Sequence, residues 1–323
     1  MAADQETQEN QLRIFQLEES DFGPYRRYRF DHPDLGHGFD IVPAAAANVT
    51  ELRFSKTNVI DGHATGEELH AGKWGKSAIL FPFPNRLRDG AYSWNGRDYS
   101  FPINNAATSN AIHGFVRHES FQVQRIELTT DHALITSRFV ADGKNPAYPF
   151  PFSFDATFEM SANAEFIATF SVTNHHAESI PVGLGWHPYF RLTDRADDHH
   201  LQLPRCARVD IDTRMIPTGK RISYMDFQDE RLVGETQLDT CFEVPPSESI
   251  VRAKLRAQGQ ALTLEAPRDR FPFFQVFTPP ARNSIAIEPM TCNVDAFHNH
   301  EGLVEIATGQ NWTVQFKITH ERD

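Results

Sequence analysis

Apolar residues recur at every second position through much of this chain. The segments 154–160 and 166–172 both alternate in this way, and residues 162–164 form a short link between them. Successive side chains of a β-strand point to opposite faces of a sheet, so each segment predicts a strand with one buried and one solvated face. The two segments together predict an antiparallel hairpin. The same alternation predicts a strand over 312–319.

A second hairpin is marked by Asn95-Gly96, which lies between the strand-like segments 92–94 and 97–99. Both residues tolerate a positive φ angle, as a type I′ turn requires. Shorter apolar segments predict further strands at 78–83, 133–140, 261–266, 273–278 and 284–288. Helical periodicity is short wherever it occurs, with one or two turns expected over 66–72 and one over 293–298.

The prolines, 20 in all, fall largely at the ends of predicted strands, as in 81–84 and 278–280. Proline cannot donate to a sheet ladder, so this placement suits an antiparallel all-β fold. A length of 323 residues alone suits about two domains, but no linker, tandem repeat or low-complexity tract divides the sequence. We therefore predict an all-β protein, a single large antiparallel β-sandwich over 11–323 with few short helices. Residues 1–10 are polar and aperiodic, and we expect them to be disordered.

The composition is that of an ordinary globular protein, with 40% hydrophobic and 23% charged residues. Its 26 Phe against 5 Met indicate a core built on aromatic rings. The formal net charge of −12 repels phosphate backbones and anionic lipid headgroups. Nucleic acid and membrane surfaces are therefore excluded as expected partners, and a small molecule is favoured. The oligomeric state stays open between a monomer and a homodimer.

The three cysteines, Cys206, Cys241 and Cys292, are widely spaced and odd in number, which is no disulfide framework and no zinc motif. The first residues lack the basic and apolar regions of a signal peptide, and no run of about 18 apolar residues is present to span a bilayer. We expect a cytoplasmic protein.

Four polar residues stand where the strands of a β-sandwich core do not need them. His187 and Glu288 end apolar strand segments, His113 lies at a strand–loop junction, and Arg86 follows the Phe-Pro segment 81–84. Each one alone has a structural explanation: a hydrogen-bonded histidine, a glutamate that caps a turn, or a surface cation. Together they supply an acid, a base and a hydrogen-bonding clamp for a polyhydroxylated ligand.

The sequence here resembles the aldose 1-epimerase (galactose mutarotase) family. The match runs in order from about residue 50 to the C-terminus, with Gly90, Gly96 and Tyr99 following the first motif. The motifs that carry it are Pro84-Asn85-Arg86-Leu87, Ile112-His113-Gly114-Phe115, His187-Pro188-Tyr189-Phe190, Leu238-Asp239-Thr240-Cys241-Phe242, Phe274-Gln275-Val276-Phe277-Thr278 and Ile285-Ala286-Ile287-Glu288-Pro289. The sequence departs from the family pattern at Phe277, where the family has Tyr, at Pro188, and at Pro279-Pro280.

The resemblance implies the galactose mutarotase-like β-sandwich and the interconversion of α and β anomers of a free aldose, without a cofactor. It implies that His187 is the general acid and Glu288 the general base. With ordinary pKa values of about 6.5 and about 4.3 these residues form a natural acid–base pair. The residues that it implies for binding sugar hydroxyls are Asn85, Arg86, His113, Asp239 and Gln275. Tyr189 and Trp186 are candidates for packing against a sugar face or for plain core positions.

Three alternatives remain beside this reading. A hexose-6-phosphate 1-epimerase would need a basic pocket, for which Arg117, Arg88 and Arg191 are available. A carbohydrate-binding module would keep the fold without turnover, and the loss of His187 or Glu288 would be its expected sign. A lyase or hydrolase domain is disfavoured by the length of the chain. Adjacent residues of a strand point to opposite faces, so the histidine pairs 175–176 and 199–200 cannot chelate a metal through one face. His298 and His300 lack a third ligand at short range, so the sequence predicts no metal site.

Overall fold

The computed structural model describes residues 14–322, so the expected disorder of residues 1–10 lies outside the described part. Strands dominate this part of the chain. In chain order they are β1 (Gln16–Phe22), β2 (Tyr25–Asp31), β3 (Gly38–Val42), β4 (Asn48–Phe54), β5 (Thr57–Asn58), β6 (Ala78–Leu80), β7 (Arg86–Arg88), β8 (Ala91–Trp94), β9 (Arg97–Ser100), β10 (Asn110–Ile112), β11 (Gln122–Leu128), β12 (His132–Ala141), β13 (Phe152–Ser161), β14 (Glu165–Asn174), β15 (Ile180–Val182), β16 (Gly185–His187), β17 (Tyr189–Phe190), β18 (His200–Gln202), β19 (Cys206–Ile211), β20 (Pro217–Tyr224), β21 (Arg231–Leu232), β22 (Asp239–Glu243), β23 (Ile250–Ala257), β24 (Gln260–Pro267), β25 (Phe273–Phe277), β26 (Ile285–Met290), β27 (Val304–Ile306) and β28 (Asn311–Arg322).

The helices are short, as the sequence predicts. Within residues 14–322 the α-helices are α1 (Gly66–Ala71) and α2 (Ala296–Asn299), and three further turns are of the 3-10 type (Lys73–Gly75, Val116–His118 and Ala196–Asp198). Thr65 caps α1 by accepting a hydrogen bond from the backbone N–H of Glu68, and Gly72 ends it in a left-handed conformation.

A nine-stranded antiparallel sheet contains the predicted hairpin, in the order β11-β12-β13-β14-β28-β24-β23-β18-β21. Strands β13 and β14 pair from Phe152–Asn174 to Met160–Phe166, and β28 lies on the other side of β14. The Asn95-Gly96 hairpin also forms, as β8 and β9, with φ angles of 49° and 73° at its two turn residues. Both hairpin predictions are confirmed.

An eight-stranded sheet faces the nine-stranded one. Its main path is β20-β19-β22-β25-β26-β16-β6, and β17 pairs beside it with β26. Trp186 on β16 is fully buried between the two sheets, with its ring 5.5 Å from that of Phe316 and 6.3 Å from that of Phe158. Trp186 is therefore a core residue, not a sugar platform. The sandwich predicted from the alternating pattern is confirmed.

The remaining strands form smaller sheets. Strands β1 to β5 form a five-stranded sheet in chain order, and β7 with β10, β8 with β9 and β15 with β27 form two-stranded ribbons. One large cluster of buried apolar side chains extends from Phe15 to Ile318 and includes many of the phenylalanines. Aromatic rings therefore fill the core, as the composition predicts.

Candidate active site

The register of the eight-stranded sheet brings His187 opposite Glu288. Gly185 pairs with Met290 and Tyr189 pairs with Ala286, so the residues between these pairs, His187 and Glu288, face one another across β16, β17 and β26. Because side chains alternate along a strand, the Trp186 ring enters the core while His187 points to the opposite face. The same sheet thus supplies both the core and the site.

The next strands place two more predicted residues on this face. Gln275 on β25 pairs with Glu288, and Asp239 at the start of β22 pairs with Phe277, two residues further along β25. Directly paired residues of an antiparallel sheet share a face. The Gln275 side-chain amide donates a hydrogen bond of 2.7 Å to Oδ1 of Asp239. Four neighbouring strand segments therefore present His187, Glu288, Gln275 and Asp239 side by side.

The ribbon of β7 and β10 forms the second wall. His113 and Asn85 both have positive φ angles, and the backbone N–H of Asn85 donates to Nδ1 of His113 at 3.2 Å. The His113 imidazole therefore carries its proton on Nε2, because burial and nearby cations lower its pKa well below the ordinary value. Arg86 is buried and donates from Nη1 to Oδ1 of Asn85 at 2.9 Å. Arg86 is thus no surface cation.

These two walls enclose a cavity of about 570 Å³, a volume typical of small-molecule sites. All eight residues predicted from the sequence line it, namely Asn85, Arg86, His113, His187, Tyr189, Asp239, Gln275 and Glu288. Their convergence depends on strands that are far apart along the chain. Their roles in binding and catalysis stay predictions.

His187 and Glu288 form a buried pair at the centre of the cavity. Nε2 of His187 lies 3.3 Å from Oε1 of Glu288, and the two residues are 5% and 1% exposed. The Tyr189 ring stacks on the His187 ring with centroids 4.8 Å apart and planes 12° apart. The hydroxyl of Tyr189 donates to the backbone carbonyl of Trp74 at 2.9 Å, which fixes Tyr189 against the imidazole.

The pKa values of this pair are far from ordinary, which corrects the expectation from the sequence. Burial and, to a smaller extent, the positive charge of Arg117 lower the pKa of His187 to about 3, against a raising contribution from a backbone hydrogen bond. Burial and the Asp239 carboxylate raise the pKa of Glu288 well above its ordinary value, while Arg86 opposes this shift. Burial disfavours the charged form of each group, so the pair favours a neutral imidazole beside a protonated carboxyl.

Several polar atoms of the cavity have no hydrogen-bond partner among the described residues. They are the Nε atoms of Arg86 and Arg117, Nδ1 of His187, Oε1 of Gln275 and Oε2 of Glu288. A buried polar atom without a partner costs free energy, and such atoms are rare in folded proteins. Their concentration in one cavity indicates a site for a ligand rich in hydrogen-bonding groups.

Sequence reasoning did not assign a role to several lining residues. Trp74 is 54% exposed at the rim, and its ring lies 6.3 Å from that of Phe277, the residue that departs from the family pattern. Asn104 and Asn105 line the cavity from the loop before β10. The Asn104 side-chain carbonyl accepts a hydrogen bond from the backbone N–H of Ile112 at 2.7 Å. A polar loop beside the His113 motif was the only signal for these asparagines.

Of the three arginines considered for a phosphate, only Arg117 lines the cavity. Arg88 lies outside and is 3.8 Å from Asp295. Residues 14–322 contain no group of three or more histidine, cysteine or acidic side chains arranged to hold a metal ion. In the same part of the chain, no helix is long and apolar enough to cross a membrane.

Fold and cavity together define a β-sandwich protein with a buried histidine–glutamate pair in a polar cavity. The model of the aldose 1-epimerase family matches residues 42–319. The chain therefore belongs to the aldose 1-epimerase family, which confirms the resemblance seen in its motifs.

Individual relatives are distant in sequence. The uncharacterized protein YihR of Escherichia coli K12 is 26% identical over 289 residues, which cover 87% of this chain and 90% of that protein. The galactose mutarotase of Sus scrofa is 26% identical over 147 residues, or 44% of this chain and 41% of that protein. A solved structure of a galactose mutarotase-like protein from Clostridium acetobutylicum has a TM-score of 0.85 at 19% identity, covering 96% of this chain and 99% of that one. The last comparison shows the shared fold.

Proposed function

We propose that this protein is an aldose 1-epimerase that interconverts the α and β anomers of a free aldose of the glucose or galactose type. The observation that carries the proposal is the buried pair of His187 and Glu288, with Nε2 and Oε1 3.3 Å apart. The pair lies in a cavity where several polar atoms lack partners, and the hydroxyls of a sugar would satisfy them.

The reaction needs one proton donor and one proton acceptor. Glu288 takes the proton from the anomeric hydroxyl, the C1–O1 bond becomes a carbonyl, and the bond between C1 and the ring oxygen breaks. His187 gives its proton to the ring oxygen as that bond opens. Rotation about the C1–C2 bond turns the other face of the aldehyde to the hydroxyl, and the reverse transfers close the ring. The reaction is redox-neutral and moves only protons and one ring bond.

The perturbed pKa values suit this cycle. A pair that holds one proton between two groups always contains one protonated and one unprotonated member, which is what ring opening requires. A sugar hydroxyl that donates to Glu288 favours its carboxylate form, and the proton then lies on His187. The roles of His187 as acid and Glu288 as base follow the family motifs, and the short Nε2–Oε1 distance supports the transfer between them.

The other polar residues would hold the sugar. Arg86 and the Nε2–H of His113 are donors, and Asp239 is an acceptor held in place by Gln275. Such a mixture of donors and acceptors matches hydroxyl groups, which do both.

Two rival functions have weaker support. A hexose 6-phosphate carries close to two negative charges, whereas Arg117 is the one cation among the described lining residues without a carboxylate nearby. A binding module without turnover has no use for a desolvated acid–base pair, and desolvation of the pair is costly. We also propose a cytoplasmic location, where the free thiols of Cys206, Cys241 and Cys292 would stay reduced.

The test is the rate of mutarotation of freshly dissolved α-glucose, α-galactose, α-xylose and glucose 6-phosphate, followed by polarimetry. The wild type should accelerate at least one neutral aldose, and His187→Asn and Glu288→Gln should lose most of that activity. Glu235→Gln, on an exposed side chain outside the cavity, is the matched control. A wild type that leaves every neutral aldose at its spontaneous rate would overturn the proposal.

A further inference from the structure

Arg117 is a cation without a partner at the edge of the cavity. It lies in the 3-10 turn Val116–His118, which follows the His113 motif directly. Its Nε atom is buried and unpaired, and its side chain makes no hydrogen bond or ion pair with any described residue. Burial lowers its pKa, and no carboxylate opposes that shift. The side chain as a whole is half-buried, and partial desolvation of a charged group without a partner costs free energy, so its presence calls for an explanation.

Arg117 lies beside the catalytic pair. A Cβ atom placed on Gly75 would be 3.7 Å from Nη1 of Arg117 and 4.0 Å from Cδ2 of His187. Gly75 lines the cavity and has no side chain to separate the two groups. A ligand group next to the atom that His187 protonates is therefore within reach of Arg117.

The other cations around the cavity are already balanced. The charge of Arg86 is opposed chiefly by Asp239. Behind Gly75 a smaller cavity shares Arg117, and its Lys76 donates to Asp61 at 2.9 Å. Two histidines of that smaller cavity, His63 and His118, have pKa values lowered by burial, so they add no charge at neutral pH. Among the described arginine and lysine side chains that line the two cavities, Arg117 is the one without a carboxylate partner.

We propose that the preferred substrate is an aldose with a carboxylate at C6, a uronic acid, and that Arg117 binds this carboxylate. The inference rests on the proposed function, which places the ring oxygen at His187. In a hexopyranose the ring oxygen is bonded to C5, and C6 is attached to C5. The C6 group is therefore the sugar substituent closest to the ring oxygen apart from the anomeric hydroxyl. With the anomeric hydroxyl at Glu288, the C6 group would extend toward Gly75 and Arg117, which lie near Cδ2 of His187.

A carboxylate fits this site better than a phosphate. A guanidinium binds a carboxylate through two parallel hydrogen bonds, and one positive charge matches one negative charge. A phosphate monoester at neutral pH carries close to two charges, which exceeds the single charge of Arg117. The other cation of the cavity lining, Arg86, is already opposed by Asp239.

A carboxylate at Arg117 would also assist the chemistry. The positive charge of Arg117 favours the unprotonated form of His187. A bound carboxylate offsets that charge and so favours the protonated imidazole, the form that protonates the ring oxygen. Binding of the carboxylate by Arg117 would thereby favour protonation of the ring oxygen by His187.

The experiment measures kcat/KM for anomer exchange by NMR with two matched pairs, glucuronate against glucose and galacturonate against galactose, and with glucose 6-phosphate. Each rate is corrected for the spontaneous exchange of the same sugar. Charge-assisted hydrogen bonds lead us to expect a preference of about tenfold to a hundredfold for one uronate over its parent aldose. Arg117→Gln should bring this ratio close to one, and Arg117→Lys should keep part of it. Arg97→Gln is the control, because it removes one exposed positive charge outside the cavity, and it should keep the wild-type ratio.

The ratio of two substrates for one variant does not depend on how much of that variant is folded. Equal kcat/KM values for neutral aldoses and uronates would overturn this inference and leave the proposed function standing. A uronate-to-aldose ratio of kcat/KM that is unchanged in Arg117→Gln would do the same. A preference for glucose 6-phosphate over glucuronate would also overturn it, because the site would then recognise phosphate. Spontaneous rates for every neutral aldose would overturn the proposed function itself, and this inference with it.

Discussion

Replacing Glu288 by Gln separates the chemistry of the site from the stability of the fold. The substitution keeps the shape of the side chain and removes its ability to exchange a proton. General acid–base groups contribute about 10²- to 10⁴-fold to a rate. Because the carboxyl is fully buried and is the acidic group 3.3 Å from Nε2 of His187, we expect Glu288→Gln to lower kcat by an amount in that range. The corresponding rise in the barrier is about 3 to 5 kcal/mol.

The same substitution should not destabilise the protein. Burial raises the pKa of Glu288 in the folded state above its unfolded value, so the folded state binds the proton more tightly. This tighter proton binding adds to the free energy of unfolding. The contribution is fully present below the unfolded pKa of about 4.3 and is lost as the pH rises through the folded pKa. The loss amounts to about 1.4 kcal/mol for each pH unit across that interval. Glu288→Gln has no such loss, so its stability relative to the wild type should rise across the same pH interval.

The two effects are measured separately. NMR exchange gives kcat, and urea unfolding at several pH values from 4 upward gives the free energy of unfolding of both proteins. Glu235→Gln, which removes an exposed carboxyl, should match the wild type in both measurements. A Glu288→Gln protein within threefold of wild-type kcat would refute the catalytic role. A variant that loses stability against the wild type as the pH rises would refute the account of its burial.

Three further predictions concern the site and its support. Activity should follow a broad bell against pH, since below the pKa of His187, about 3, both members of the pair are protonated, and above the raised pKa of Glu288 neither is. A kcat/KM profile from pH 3.5 to 9 checks this, and limbs near the ordinary values of about 4.3 and about 6.5 would contradict it. Trp74→Ala should raise KM about threefold to tenfold with little change in kcat, because the half-exposed indole offers a surface for the sugar. Steady-state exchange rates decide this, and an unchanged KM would remove Trp74 from the site. Gly114→Ala should cost more than about 2 kcal/mol of unfolding free energy, because φ is +59° there and a Cβ would overlap the carbonyl oxygen of Phe81. Denaturant unfolding measures that loss, and wild-type stability would show that the backbone can move.

Much of the fold was predictable because the strands carry their own signal. The alternation of apolar and polar residues in 154–160 and 166–172 indicates strands of a sheet with one buried face. Asn95-Gly96 indicates a turn that needs two positive φ angles. The order of strands was not predictable. The pairing of β14 with β28 and of β16 with β6 joins segments that are more than a hundred residues apart, and nothing local in the sequence encodes it.

The candidate site was also predictable only in part. Its polar residues stand out because each interrupts an apolar strand end, as His187 and Glu288 do. Their pKa values were not predictable, since these depend on burial that only the assembled sandwich creates. Trp74 gave no signal because its place at the rim is set by a short 3-10 turn and by the hydrogen bond that its carbonyl accepts from Tyr189. The isolation of Arg117 likewise follows from the absence of nearby carboxylates in space among the described residues.

The acid–base pair is the central claim, and the double variant His187→Asn with Glu288→Gln tests it most directly. Two residues that act as one unit lose their contribution together, so the double variant should be about as active as the weaker single variant. NMR exchange of an aldose that the wild type accelerates gives all four rates. We predict that the wild type exchanges anomers well above the spontaneous rate. Both single variants and the double variant should share one low rate. Losses that multiply in the double variant, or a double variant that stays close to the wild type, would contradict the account.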